Sequence, residues 1–185
     1  MSDFEIYTET TAPEASRDTL KTIKSAFGFI PNAMAMLAES NPALSSYLML
    51  DSQVQQTSLT PAEIQVLILA ISRENECHYC TAAHSMQAEM ASLDAEEIAR
   101  LRAGEALVNS KHQALAEFGR KMVRQRGGLS QQELQGFLDA GYSKANIFDV
   151  ILVVAMKTIT NYANHITQTP LDDAFTAYRW TADAN

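Results

Sequence analysis

Glycine, proline and cysteine are all scarce in this chain: seven, five and two residues among 185. So few chain breakers exclude collagen-like, low-complexity and linker-rich organisation. Long apolar runs are missing too. The two longest, Val66–Ile71 and Val150–Met156, fall far short of the ~20 residues that span a bilayer. Basic residues are in the minority, 14 Lys and Arg against 22 Asp and Glu. The resulting acidic field repels phosphate backbones and anionic membrane surfaces, so neither nucleic acid nor membrane is an expected partner. The first ten residues, MSDFEIYTET, lack a basic segment followed by an apolar one. A cytoplasmic protein is therefore the expectation. Strand signals are nearly absent, with no sustained apolar/polar alternation and no Asn-Gly or Asp-Gly turn.

What remains is helical. An apolar fraction of 46% over this length suits one domain, residues 1–185, with a sizeable core. Thr11-Ala12-Pro13-Glu14 reads as the start of a helix running to about Phe27. Asn41-Pro42 opens another through Val54, and Thr60-Pro61-Ala62-Glu63 carries a capping-box pattern before Ile64–Arg73. Further segments run from Asp94 to Leu101, with Glu97 at the third helical position, and over Lys111–Arg126, stopped by Gly127-Gly128. Ser130 with Glu133 starts the next, Gly141 ends it, and Lys144–Tyr162 is the last long helix. The expectation is an all-α bundle of roughly eight helices.

Ile64–Ile71 and Ile147–Met156 are apolar on more than one face, as expected of helices surrounded by other elements. They also resemble each other. A slide of 83 residues pairs Thr60 with Ser143, Ile64 with Ile147, Ile68 with Ile151 and Tyr79 with Tyr162. This suggests a decayed duplication, with a redox core over about 60–91 and a degenerate second copy over about 143–166. Equally, two buried helices look alike because both must be apolar.

The chemistry concentrates in Cys77-His78-Tyr79-Cys80-Thr81-Ala82-Ala83-His84. If this stretch is helical from Cys77 onward, Cys80 lies about 60° from Cys77 around the axis, with His84 between them. A helix N-terminus, an imidazole one turn away and a second sulfur all favour a thiolate, which is the nucleophilic form. The neighbouring thiol can then close a disulfide on the oxidised one. Zinc is the rival reading, since Cys77, His78, Cys80 and His84 supply four ligands within eight residues. Ligands from one short helix point along a face rather than converge, so neither a metal nor another cofactor is expected. His78 and Tyr79 are candidates to shape a pocket, as are segments around Phe27–Leu37 and Tyr47–Leu50. His112 and His165 read as surface or satisfied core histidines.

Ile68-Leu69-Ala70-Ile71-Ser72 followed by Asn75, Cys77, Tyr79-Cys80 and Ala83-His84-Ser85 resembles the carboxymuconolactone decarboxylase/AhpD-like alkylhydroperoxidase superfamily. Ile30-Pro31-Asn32, Leu152–Asn164 and Pro170-Leu171-Asp172 resemble its peroxidase-related branch. The resemblance implies an all-helical AhpD-like fold and a homo-oligomer, a trimer or hexamer. It implies reduction of a small-molecule hydroperoxide, with a dithiol reductant or a lipoyl- or thioredoxin-like donor protein recycling the pair. Carried over by position, Cys80 attacks the peroxide, Cys77 resolves it and His84 handles protons. The family's relay Glu lies twelve residues before the first cysteine, where this chain has Gln65. Gln65 and Glu63 are thus candidates for the relay, and Glu74, Glu76 and Asp149 are weaker ones. A disulfide oxidoreductase or redox sensor without peroxide turnover is the alternative reading, followed by a metal-binding or structural helical oligomer. A decarboxylase has no evident use for the paired thiols.

Overall fold

The computed structural model describes residues 4–182. Among the described residues there are nine α-helices, in chain order α1 Glu14–Phe27, α2 Asn32–Leu37, α3 Asn41–Val54, α4 Pro61–Glu74, α5 His78–Met90, α6 Ala95–Ala103, α7 Ser110–Arg124, α8 Gln131–Asp139 and α9 Lys144–Thr167. A 3-10 turn at Asp173–Tyr178 closes the chain, and there is no strand among the described residues. The all-α expectation holds.

Local chemistry sets most of the helix starts. Thr60 accepts from the Glu63 N–H while the Glu63 carboxylate accepts from the Thr60 N–H, and Ser130–Glu133 and Ser143–Asn146 form the same reciprocal boxes. Two expected starts differ. Pro13, without a side-chain acceptor, occupies the cap of α1, while Thr11 bonds back to Thr8 instead. At α6 the Asp94 side chain accepts from the Glu96 N–H. The Glu97 carboxylate is drawn instead to the Val108 and Asn109 N–H groups at 2.8 and 3.0 Å and to His112 at 3.3 Å, which accounts for His112 as a satisfied structural group.

α4 is the axle of the bundle: every residue from Glu63 to Ser72 is buried, and α5, α6, α7 and α9 pack around it. α7 crosses closely because it presents Gly119 there; a Cβ at that position would lie 2.6 Å from a Leu67 methyl. α9 is not enclosed as α4 is. Its inner stripe is buried, but Phe148, Ile151, Tyr162 and Ile166 are exposed along its outer face. The apolar composition of Ile147–Met156 thus records two apolar faces of which the chain covers only one.

The inner stripe of α9 changes character along its length. Val150, Val153 and Met156 continue the apolar core, and then Lys157, Thr160, Asn161 and Asn164 follow at helical spacing, all buried. That polar half-stripe lies against the start of α5. From the other side, α2 and the 3-10 turn cover the same place, so that Ala33 and Phe175 join Cys77, Tyr79, Cys80 and Ala83 in a second apolar cluster.

Candidate active site

The turn from α4 to α5 positions the thiols. The Cys77 N–H donates to the Ser72 carbonyl at 2.8 Å, and Glu76 takes a left-handed φ of 54° to make the reversal. α5 therefore starts one residue later than the sequence suggested, with Cys77 as its cap. The Cys77 sulfur accepts from the Cys80 N–H at 3.4 Å. The free helix N–H thus serves Cys77, and Cys80 sits inside the first turn. Both thiols are free and buried.

Cys80 finds its partners on α9. Lys157 Nζ lies 3.5 Å from its sulfur and Asn164 Nδ2 lies 3.2 Å from it, with the same amide 3.7 Å from Cys77. Burial alone pushes the Cys80 thiol up, but the Cys77 hydrogen bond and the Lys157 charge, with Thr160 and Asn161, outweigh it and bring the thiol down to about 5. Cys77 moves the opposite way, pushed up by its hydrogen bond with Cys80 and by burial. The pair titrates as a unit, with the anion on Cys80.

His84 is present but not as expected. Its Nε2 faces Lys157 Nζ at 2.9 Å and its Nδ1 faces Gln65 Oε1 at 3.0 Å, so both ring nitrogens are occupied by groups other than Cys80. Burial, reinforced by the Lys157 charge, holds its pKa well below the ordinary value. The ring is neutral: Nδ1–H donates to Gln65 and Nε2 accepts from Lys157. A direct thiol–imidazole bond with an imidazolium is thus replaced by the order Cys80, Lys157, His84, Gln65. The physical reason is that a lysine ammonium, with three donors, satisfies the anion and the imidazole together.

The remaining candidates separate. Gln65 enters the site through His84. Glu63, on the same helix, points away: its carboxylate closes the α4 capping box and takes Lys111 at 2.8 Å and the Tyr142 hydroxyl at 3.1 Å, so it is a structural clamp and not a relay. Glu74 pairs with Arg124, Glu76 is exposed, and Asp149 accepts from Asn146. None of the three is bonded to His84 or the thiols. Tyr79 faces the lid: its hydroxyl donates to Asp172 at 2.5 Å and accepts from the Ala33 N–H at 3.4 Å. The same carboxylate accepts from the Asn32 N–H at 3.1 Å and so ties the start of α2 to the C-terminal segment. His78 is exposed and bonds the Trp180 carbonyl at 3.2 Å, turned away from the sulfurs. His165 is exposed on the outer side of α9. With His78 outward and a lysine against both Cys80 and His84, the four candidate zinc ligands do not converge.

Sequence reasoning missed Lys157 and Asn164. Their signal was there: a lysine directly after the run Val150–Met156, followed by polar residues at the same helical spacing as the apolar stripe. Asn75 and Asn161 complete the surround, with the Asn75 amide donating to Asn161 at 2.9 Å and so linking the pre-cysteine turn to α9.

Residues 43–119, from α3 into α7, match the carboxymuconolactone decarboxylase family. No curated protein matches the sequence significantly. Among solved structures, the alkylhydroperoxidase AhpD core of a peroxidase-related protein from Ralstonia eutropha JMP134 superposes with a TM-score of 0.82 at 16% identity, covering 93% of each chain. A peroxidase-related protein from Silicibacter sp. TM1040 gives 0.80 at 18% identity over 96% of this chain and 94% of its own. The debrominase Bmp8 gives 0.78 at 13% identity over 96% of both, and a cysteine-to-alanine form of it holds 2,3,4-tribromopyrrole. At such identities these likenesses speak for the fold. The sequence pattern of the carboxymuconolactone decarboxylase family thus lies over the central helices, and the AhpD-like fold extends over nine-tenths of the chain.

Proposed function

We propose that this protein is a thiol-dependent hydroperoxide reductase in which Cys80 is the peroxidatic thiolate. The observation that carries this reading is the Cys80 sulfur itself: buried, drawn down to about 5, and faced by the Lys157 ammonium at 3.5 Å with a second free thiol at the helix cap. The thiolate attacks the distal oxygen of the hydroperoxide. The O–O bond breaks, the departing alkoxide takes a proton from Lys157 and leaves as alcohol, and Cys80 becomes a sulfenic acid. The Lys157 amine then accepts the Cys77 proton, the Cys77 sulfur attacks Cys80, and hydroxide leaves as water with that proton. His84, held by Gln65, orients the amine throughout. A dithiol, small or carried on a lipoyl- or thioredoxin-like protein, returns the disulfide to two thiols.

The test is turnover of cumene hydroperoxide with a dithiol reductant. Wild-type protein consumes peroxide catalytically, Cys80→Ser consumes none, and Cys77→Ser reduces one equivalent and stops. A wild-type pair that oxidises once and is never recycled by any dithiol supports the redox-sensor reading instead. A second reaction is favoured by the likeness to the debrominase. The same thiolate attacks the halogen of a haloaromatic compound, Lys157 delivers the proton to the ring carbon, and Cys77 displaces halide from Cys80 to give the same disulfide. Halide release from a bromopyrrole by the wild type, absent with Cys80→Ser, tests it.

A further inference from the structure

Cys80 has two nucleophilic neighbours, and the mechanism above uses only one of them to close on sulfur. The other is Lys157 Nζ, 3.5 Å away. Both residues are at most 3% exposed, and the lysine reaches the sulfur on a flexible four-carbon stem. Its nitrogen is already hydrogen-bonded at 2.9 Å to the acceptor nitrogen of a neutral imidazole, and that imidazole is fixed from behind by Gln65 at 3.0 Å. Nucleophile, base and orienting group thus stand in the order found around activated nucleophiles, with lysine in the nucleophile's place. The Asn164 amide nitrogen, 3.2 Å from the sulfur, donates a hydrogen bond but has no free electron pair to offer.

We propose that Cys80, once oxidised to the sulfenic acid, forms a covalent sulfur–nitrogen bond with Lys157 whenever Cys77 does not capture it first. This makes the pair a second, reversible redox linkage. It rests on the peroxide reading only for the source of the oxidant. Sulfenic acids condense with nitrogen as well as with thiols. Lys157, a free amine once it has protonated the departing alkoxide, keeps one N–H on His84 Nε2 while its lone pair attacks sulfur and the S–O bond breaks. The departing hydroxide takes one Nζ proton and leaves as water, and the S–NH bond remains. Sulfur remains at the sulfenyl level, so no further oxidant is consumed. An external thiol reverses the bond by attacking sulfur and releasing the amine. The linkage would keep Cys80 from over-oxidation and bridge α5 to α9.

Oxidise Cys77→Ser protein with hydrogen peroxide, digest it and analyse it by mass spectrometry with and without a reducing thiol. The expected product is one water lighter than the sulfenic acid. It joins the Cys80-bearing and Lys157-bearing peptides, blocks tryptic cleavage after Lys157, disappears on thiol treatment and is absent from Cys77→Ser/Lys157→Met. A dimedone-trappable sulfenic acid, or a sulfinic acid, with no joined peptides overturns the proposal while leaving the peroxidase reading intact. If peroxide leaves Cys80 as a thiol, the peroxidase reading fails, and hypochlorite decides the linkage alone. It converts the thiol to a sulfenyl chloride, from which Lys157 displaces chloride, and unjoined peptides there overturn the proposal as well.

Discussion

Burying a lysine carries a large desolvation cost unless an anion or a strong acceptor faces it. Lys157 has both, the Cys80 sulfur and His84 Nε2, so the ammonium and the thiolate stabilise each other. Replacing it tests that directly. Lys157→Met should move the midpoint of Cys80 alkylation up by about 1–3 pH units, the usual effect of one nearby opposite charge. An unchanged pH dependence of the iodoacetamide rate would remove the charge from the account. His84 makes the complementary statement. Its folded-state pKa is lowered by burial and by Lys157, so the unfolded chain binds the proton first. Its contribution to stability is intact above the unfolded value of about 6.5 and is lost as pH falls below it. Denaturant midpoints of the wild type should fall with pH from about 6.5 downward, and His84→Gln should flatten that slope. The activity profile, in contrast, should follow Cys80 and show its acid limb near 5.

At the scale of elements, α4 and α9 do the positioning. The reciprocal box at Thr60–Glu63 fixes the start of α4, and the same carboxylate joins it to α7 through Lys111 and to the α8–α9 connection through Tyr142. Thr60→Ala should cost about 1 kcal/mol in urea unfolding, the typical worth of a threonine cap, and should leave the thiol chemistry unchanged. The capping signatures and the apolar stripe of α4 are local patterns, so the starts of these helices could be read from sequence to within a residue or two. The site could be read only in part. Cys77, Cys80 and His84 lie within one short segment and their proximity follows from helical spacing. Lys157 lies 77 residues from Cys80 in the chain, and no local rule says which buried helix face meets which.

Over the whole molecule the thiols lie beneath a cover. α2 and the C-terminal segment close over α5, and the Asp172 carboxylate fastens the two by accepting from the Asn32 N–H and the Tyr79 hydroxyl. Phe175 packs edge-on against Tyr79, ring centres 5.9 Å apart. Burial also pushes up the Tyr79 phenol, with Asp172 adding to it, so the tyrosine remains a donor throughout the working range. Substrate must pass this cover. Asp172→Ala removes charge-assisted bonds worth about 1.5 kcal/mol and should raise the rate at which the thiols react with iodoacetamide by about tenfold. Equal rates in the two proteins would show that access runs by another route.

The amino-acid sequence by itself determined the all-α class, the capped helices and the paired thiols with their histidine, because each is written in residues close together in the chain. The fold decided what those thiols face. A neutral imidazole and a thiol one turn apart can bond to each other, but a lysine and an asparagine delivered by α9 offer more and stronger donors, and so rearranged the contacts. The lysine that faces Cys80 thereby comes from 77 residues further along the chain, and it is fixed only when α9 packs against α4 and α5.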